Sequence, residues 1–152
     1  MSIRGLDHVA VTSEDLEQSL AFYRDLLGIP VLDRGESADH YLGEITGFEG
    51  ARLRWADLDL GHGQVLELLH YVDPQGERLN QRTNDPGSAH IGLAVDDLAA
   101  MHKALIAAGV VVRSGPVTID EPGGWGGVRC LYAVDPDGVT IELVERPPRP
   151  AP

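Results

Sequence analysis

The sequence predicts an α+β fold made of two tandem strand-helix-strand modules, with sheets curved around a partly apolar cavity. Three observations predict it. The chain repeats itself internally, its strands sort by parity into a bulky aliphatic face and a mixed face, and both helices carry start and stop signals. Self-similarity of this kind is the first property to seek in a sequence. Gly5-Leu6-Asp7-His8-Val9-Ala10-Val11 opens the chain, and Ser88-Ala89-His90-Ile91-Gly92-Leu93-Ala94-Val95 opens a second half. The halves also end alike, Gly63-Gln64-Val65-Leu66-Glu67-Leu68-Leu69 against Gly138-Val139-Thr140-Ile141-Glu142-Leu143-Val144. Module 1 is expected over about 5–73, a linker rich in polar residues and Pro over 74–86, module 2 over about 87–146, and a Pro-rich tail over 147–152.

The elements follow in order. After the first strand, Thr12-Ser13-Glu14-Asp15 offers a hydroxyl N-cap with a carboxylate three residues on. Leu16, Leu20, Tyr23 and Leu27 then recur at helical spacing, and Gly28 suits a left-handed helix end. The second helix repeats the design, with Asp96 as cap, Leu98, Met101 and Leu105 as the buried stripe, and Gly109 as the stop. Residues 53–58 and 127–134 read as further strands, and Glu44 falls on an expected second strand of module 1. Asp73-Pro74-Gln75-Gly76 and Asp135-Pro136-Asp137-Gly138 are turn sequences. The tail cannot pair in a sheet and is expected to be extended or disordered.

At 152 residues the chain is one domain by length, and 43% apolar with 24% charged residues is ordinary for a globular protein. A net charge of −12 argues against a phosphate-backbone binder, which needs a basic patch. A single cysteine, Cys130, excludes an internal disulfide and a cysteine-based zinc cluster. Neither a secretory signal nor an 18-residue apolar run is evident, so no membrane partner and a cytoplasmic location are expected.

Side chains alternate across a strand. His8 shares a face with Ala10 and Thr12, His90 with Gly92 and Ala94, Glu67 with Val65 and Leu69, and Glu142 with Thr140 and Val144. Opposite lie Val9 and Val11, Ile91 and Leu93, Leu66 and Leu68, and Ile141 and Leu143, suited to a covering helix. A lone strand His or Glu is usually a solvated or satisfied residue. Four at equivalent positions of a repeat, on one parity, point instead to a mixed N/O site for a divalent metal.

The paired modules, the Leu-Asp-His-Val-Ala-Val opening and the Asp-Pro-Asp-Gly-x-x-Ile-Glu-Leu ending resemble the vicinal oxygen chelate superfamily. That group includes glyoxalase I, methylmalonyl-CoA epimerase, extradiol dioxygenases, and fosfomycin and bleomycin resistance proteins. The resemblance covers residues 5 to 146. It implies two βαβββ modules forming a curved mixed sheet around a metal-containing cavity, with His8, Glu67, His90 and Glu142 as ligands of one divalent ion (Ni, Co, Zn, Mn or Fe). It also implies a homodimer and a small-molecule substrate with vicinal oxygens. The implied enzyme is a glyoxalase-like lyase or isomerase that transfers a proton through an enediolate or enolate. A methylmalonyl-CoA epimerase-like enzyme, an extradiol-type dioxygenase and a non-catalytic resistance protein that binds an antibiotic or metabolite remain as alternatives.

Glu142 and Glu67 are the candidate catalytic bases, as ligand carboxylates serve in glyoxalase-like relatives, and Glu44 is a free carboxylate in reserve. Arg52, Arg54 and Arg129 are candidates for holding an anionic substrate, against cross-strand ion pairing. Trp125, in Gly123-Gly124-Trp125-Gly126-Gly127, belongs to a lid or to a wide hairpin turn. Tyr132 is read as a core residue in preference to a cavity acid. His70 is assigned to the face away from Glu67, while His40, His62 and His102 are read as solvated.

Overall fold

A computed structural model describes residues 2–148. The last four residues of the Pro-rich tail, 149–152, lie outside the described residues. The chain divides into two compact units, Met1–Leu79 and Asn80–Pro152.

In the first unit the order is β1 (His8–Thr12), α1 (Leu16–Leu20), β2 (Val31–Ser37), α2 (Tyr41–Thr46), β3 (Arg52–Gly61) and β4 (Gln64–Asp73). Its four strands form a mixed sheet in the order β1-β4-β3-β2, with β1 parallel to β4 and both other pairings antiparallel. The second unit runs β5 (His90–Ala94), α3 (Leu98–Ala107), β6 (Val117–Thr118), β7 (Arg129–Val134) and β8 (Thr140–Glu145). Its sheet has the matching order β5-β8-β7-β6. Each unit is thus a βαβββ module, as the resemblance implies, with one additional helix in the first.

The helices begin later than the sequence signals suggest. Asp15, rather than Thr12 or Ser13, caps α1, its side chain accepting from the Glu17 and Gln18 amides. Ser13 is instead buried, its hydroxyl 2.7 Å from that of Ser19. Asp97, rather than Asp96, caps α3 by accepting from the Ala100 amide, while Glu145 of β8 accepts from Leu98 N at 2.7 Å. An extended Asp one residue before the first helical amide satisfies the orphan donors. Beyond Leu20 the first helix widens into a π-helical stretch, Ala21–Leu26. The Leu27 amide there reaches Phe22 O, and the chain leaves through Gly28 at φ +76, a conformation that favours glycine.

Leu16 and Leu20 are fully or almost fully buried where α1 packs on β3 and β4, with Ala56, Leu58, Leu66 and Leu68 buried in those strands, and Tyr23 of the π-helical stretch is fully buried. In the second unit Leu98 and Leu105 of α3 are buried, as are Leu131, Ala133, Ile141 and Leu143 of β7 and β8. Each such leucine contributes roughly 1.5–3 kcal/mol of burial. Leu27 and Met101, assigned to the same stripes, are only half-buried.

Residues 41–46 form α2 and not a strand, so Glu44 lies on a short helix, exposed to solvent. Apolar residues and Gly43 alternate too briefly here to fix a sheet partner, and the left-handed Gly47 closes the turn. Leu42 of α2 packs with Ala51, Leu53 and Tyr71, a small second core on the Glu67 side of the first sheet.

Candidate metal and catalytic site

Parity puts each His and Glu where the sequence suggests. In β1 Val11 is buried while His8, Ala10 and Thr12 are exposed, and in β4 Leu66 and Leu68 are buried while Glu67 is half-buried. Parallel pairing aligns Ala10 with Glu67 and leaves His8 one same-face step away. His8 Nε2 lies 3.6 Å from Glu67 Oε2. The second unit repeats the arrangement, with Gly92 opposite Glu142 and His90 Nε2 3.3 Å from Glu142 Oε2. Small residues opposite each carboxylate matter here. A Cβ at Gly92 would stand 3.8 Å from Glu142 Oε2, in contact with the carboxylate.

The donor chemistry fits a divalent cation. Two ligand atoms about 2.1 Å from one ion, at 90–110° to each other, lie about 3.0–3.4 Å apart. The His90–Glu142 pair meets this spacing, and the His8–Glu67 pair needs only a small side-chain rotation. His8 is also oriented for the task. Its Nδ1 bonds to Asp7 Oδ1 at 2.9 Å, which leaves Nε2 aimed at Glu67. A ligating histidine is commonly fixed through its other nitrogen in this way. The structure brings His8 to Glu67 and His90 to Glu142. No group of three or more His, Cys, Asp or Glu side chains suited to a metal ion occurs among the described residues.

The surroundings of the pairs are electrostatically tense. The Asp7 hydrogen bond raises the His8 pKa above its ordinary value, burial opposes this, and Glu67 and Asp57 reinforce it. Burial raises the Glu67 carboxyl, with His8 pulling it down and Asp57 pushing it up. Asp57, directly across the β3–β4 ladder from Glu67, is raised by burial and by Asp33.

Tyr132 is the residue that sequence reasoning misplaced. It stands directly across the β7–β8 ladder from Glu142, and its ring centroid is 5.5 Å from that of His90. It belongs to the Glu142 face and not to the helix-side core, where Leu131 and Ala133 are buried. Burial raises its phenol above the ordinary tyrosine value, with Glu142 and Cys130 adding to the shift. The signal was available: the Asp135–Gly138 turn closes the hairpin on Val134 and Thr140, so counting back two pairs Tyr132 with Glu142. Cys130 shares this face, its thiol pushed up by burial and by the Glu142 carboxylate. Asp57 was missed for the same reason, and occupies in the first module the place that Tyr132 has in the second.

The three candidate anion-binding arginines point the other way. Arg54 shares the helix-side parity of Ala56 and Leu58, and its guanidinium lies 3.6 Å from Glu17 of α1. Arg52 is on the same face, 4.0 Å from Glu36. Arg129 shares the parity of buried Leu131 and Ala133 and bonds Glu145 at 2.9 Å, bracing the carboxylate that also holds the start of α3. All three are corrected from substrate holders to cross-strand or strand-helix ion pairs. Glu44 is corrected from a strand position to an exposed helical one, where nothing directs it to either pair.

Trp125 sits in the loop between β6 and β7, half-exposed, with the Arg146 guanidinium 4.6 Å from its ring centroid. His70 lies on the face away from Glu67, as assigned, with Nδ1 3.2 Å from Ser13 O. His40 and His62 are exposed, the latter in the β3–β4 turn, and His102 is half-buried in α3.

Comparisons with known proteins agree with this architecture. The family model described as the Glyoxalase/Bleomycin resistance protein/Dioxygenase superfamily matches residues 5–143. A 2-epi-5-epi-valiolone epimerase from an Actinomyces species is 33% identical over 144 residues, covering 92% of this chain and 78% of that protein. A probable lactoylglutathione lyase of Vibrio parahaemolyticus is 29% identical over 143 residues, covering 91% of this chain and 88% of its own. Among solved structures, a glyoxalase family protein from Bacillus cereus superposes with a TM-score of 0.82 at 19% identity, covering 95% of both chains, which establishes likeness of fold. With the repeated βαβββ modules and the family match over nearly the whole chain, the protein belongs to the glyoxalase/bleomycin resistance protein/dioxygenase superfamily.

Proposed function

We propose that this protein is a divalent-metal-dependent isomerase or lyase that moves a proton on a small substrate carrying vicinal oxygens. The observation that carries the reading is the duplicated His–Glu pair, 3.6 Å apart in one module and 3.3 Å in the other, each on the same face of its sheet. His8, Glu67, His90 and Glu142 together would hold one cation. A cation held there would polarise two adjacent substrate oxygens and favour negative charge developing on them.

The chain's own groups then supply the proton transfer. A carbon next to a polarised carbonyl gives up a proton to a carboxylate, Glu67 or Glu142, and the same group returns it to that carbon or its neighbour. No other reactant is consumed. Tyr132 stands beside Glu142 and His90 with its phenol held protonated, so its O–H can donate to a substrate oxygen. Removing water around the pairs strengthens every one of these interactions. A homodimer is part of the same proposal.

Within this reading an epimerase is favoured over a glutathione-dependent lyase by the 33% identity to an epimerase, together with the outward placement of Arg52, Arg54 and Arg129. Glutathione is anionic, and these arginines are engaged on the opposite faces. A dioxygenase uses two histidines and one carboxylate, so a second carboxylate ligand would occupy an oxygen or substrate position. The test is deuterium wash-in at the carbon beside the carbonyl of a hydroxyketone, followed by NMR. Metal-loaded protein should catalyse the exchange, and Glu67→Gln and Glu142→Gln should keep metal yet lose at least about a hundredfold in rate. Oxygen uptake on catechols without such exchange would overturn the reading in favour of the dioxygenase.

A further inference from the structure

We propose that the Glu67 face of the first sheet is a subsite for an uncharged, hydroxyl-bearing ring, with Trp55 as its platform and Asp57 as a hydroxyl acceptor; this rests on the proton-transfer reading above. Trp55 shares the Glu67 face, opposite Leu69 on β4 and Gly35 on β2. Its indole lies across Gly35. A Cβ built there would stand 2.5 Å from Trp55 Cζ2 and 2.6 Å from Cη2, so only glycine lets the ring lie flat. The indole remains half-buried, so part of its surface is open.

The platform is one same-face step from Asp57, or roughly 7 Å along the strand. A six-membered ring seated on Trp55 therefore has its edge beside Asp57, and Asp57 is directly opposite Glu67. Asp57 makes no hydrogen bond among the described residues, and as a carboxylate it can only accept. Asp33, its neighbour on β2, is exposed. Hydroxyl groups satisfy such oxygens and phosphate or carboxylate groups repel them. Arg52 and Arg54 occupy the opposite face and are ion-paired, which leaves His8, shared between Glu67 and Asp57, as the cationic side chain on this face. An aromatic plane for the C–H face of a ring, edged by acceptor oxygens, selects a neutral cyclic polyol and rejects an anion. The corresponding place in the second sheet, two residues from Tyr132, is Cys130, so the platform belongs to the first module alone.

The test uses a Trp125→Phe background, in which Trp55 is the sole tryptophan. Metal-loaded protein is titrated with 2-keto-myo-inositol, a neutral ring ketone flanked by hydroxyls, and with myo-inositol monophosphate. Saturable change of Trp55 emission with the ketone, and binding of the phosphate at least about tenfold weaker, is expected. Asp57→Asn and Gly35→Ala should each weaken ketone binding by about tenfold, measured by calorimetry. Trp55→Ala should do the same while Trp55→Phe, which keeps a ring, stays within about threefold. An unchanged emission, or equal affinity for the phosphate, overturns the subsite.

Deuterium exchange on the same ketone separates the two proposals. Ketone binding at Trp55 without exchange sinks the proton-transfer reading and leaves the subsite standing. Exchange on acyclic hydroxyketones that Trp55→Ala and Asp57→Asn leave untouched, with Trp55 silent to the ring, sinks the subsite alone.

Discussion

Tyr132 and Glu142 face each other across the β7–β8 ladder, and the place of Tyr132 in the first module is taken by Asp57 opposite Glu67. The two halves therefore duplicate their His–Glu pairs but not the partner of the carboxylate. One carboxylate has a phenol beside it and the other a second carboxylate. That asymmetry suits one half to donate a proton and the other to accept hydroxyls.

Tyr132→Phe keeps the ring beside His90 and removes only the O–H. The proposed reaction should slow by about tenfold or more in kcat with little change in KM, and the protein should melt within about 2 °C of the parent. An unchanged kcat would remove Tyr132 from the chemistry.

Glu67 and Asp57 both have carboxyl pKa values raised by burial in the folded chain. Such a group binds its proton more tightly folded than unfolded. It therefore favours folding at low pH and opposes it as pH rises from the ordinary carboxylate value through the folded one. In EDTA at neutral pH, Glu67→Gln and Asp57→Asn should each raise the melting temperature by up to a few degrees, and the gain should vanish near pH 4. With metal added, Glu67→Gln should gain less stability than the parent. Melting scans with and without Ni²⁺ or Mn²⁺ read both effects.

The helix caps make a sharp comparison. Asp97→Ala should cost about 1 kcal/mol, since its side chain holds the Ala100 amide, while Asp96→Ala should be within about 0.5 kcal/mol of the parent. Equal effects in urea unfolding would contradict the cap.

Ser13 and Ser19 share a buried hydrogen bond at 2.7 Å. Ser13→Ala should cost about 1–2 kcal/mol, and adding Ser19→Ala should cost clearly less than the sum of the single changes. Additive losses would show that the hydroxyls act separately.

Much of this was legible because it follows from period and repetition. Alternation alone placed His8, Glu67, His90 and Glu142 opposite Val11, Leu66, Leu68, Ile141 and Leu143; the burial pattern agrees in β1 and β4, while in β8 Thr140 and Val144 on the Glu142 face are buried as well. Where reasoning relied on residue type without parity it went astray. Arg54 and Arg129 were chosen for charge, although they alternate with the buried Ala56 and Leu131. Glu44 escaped because α2 has only six residues and is held by Leu42 against Leu53 and Tyr71, contacts distant from it in sequence. The caps slipped by one to three residues because Ser, Thr, Asp and Glu cluster there, and only backbone extension at Asp15 and Asp97 decides among them.

The central claim is that the two His–Glu pairs serve one metal. It is tested most directly by titrating metal-free protein with Ni²⁺ in a calorimeter, alongside His8→Ala, Glu67→Ala, His90→Ala and Glu142→Ala. The account predicts one ion per chain, with every one of the four substitutions weakening it by more than about a hundredfold. Two ions per chain, with changes in the first module leaving the affinity of the second intact, would contradict it.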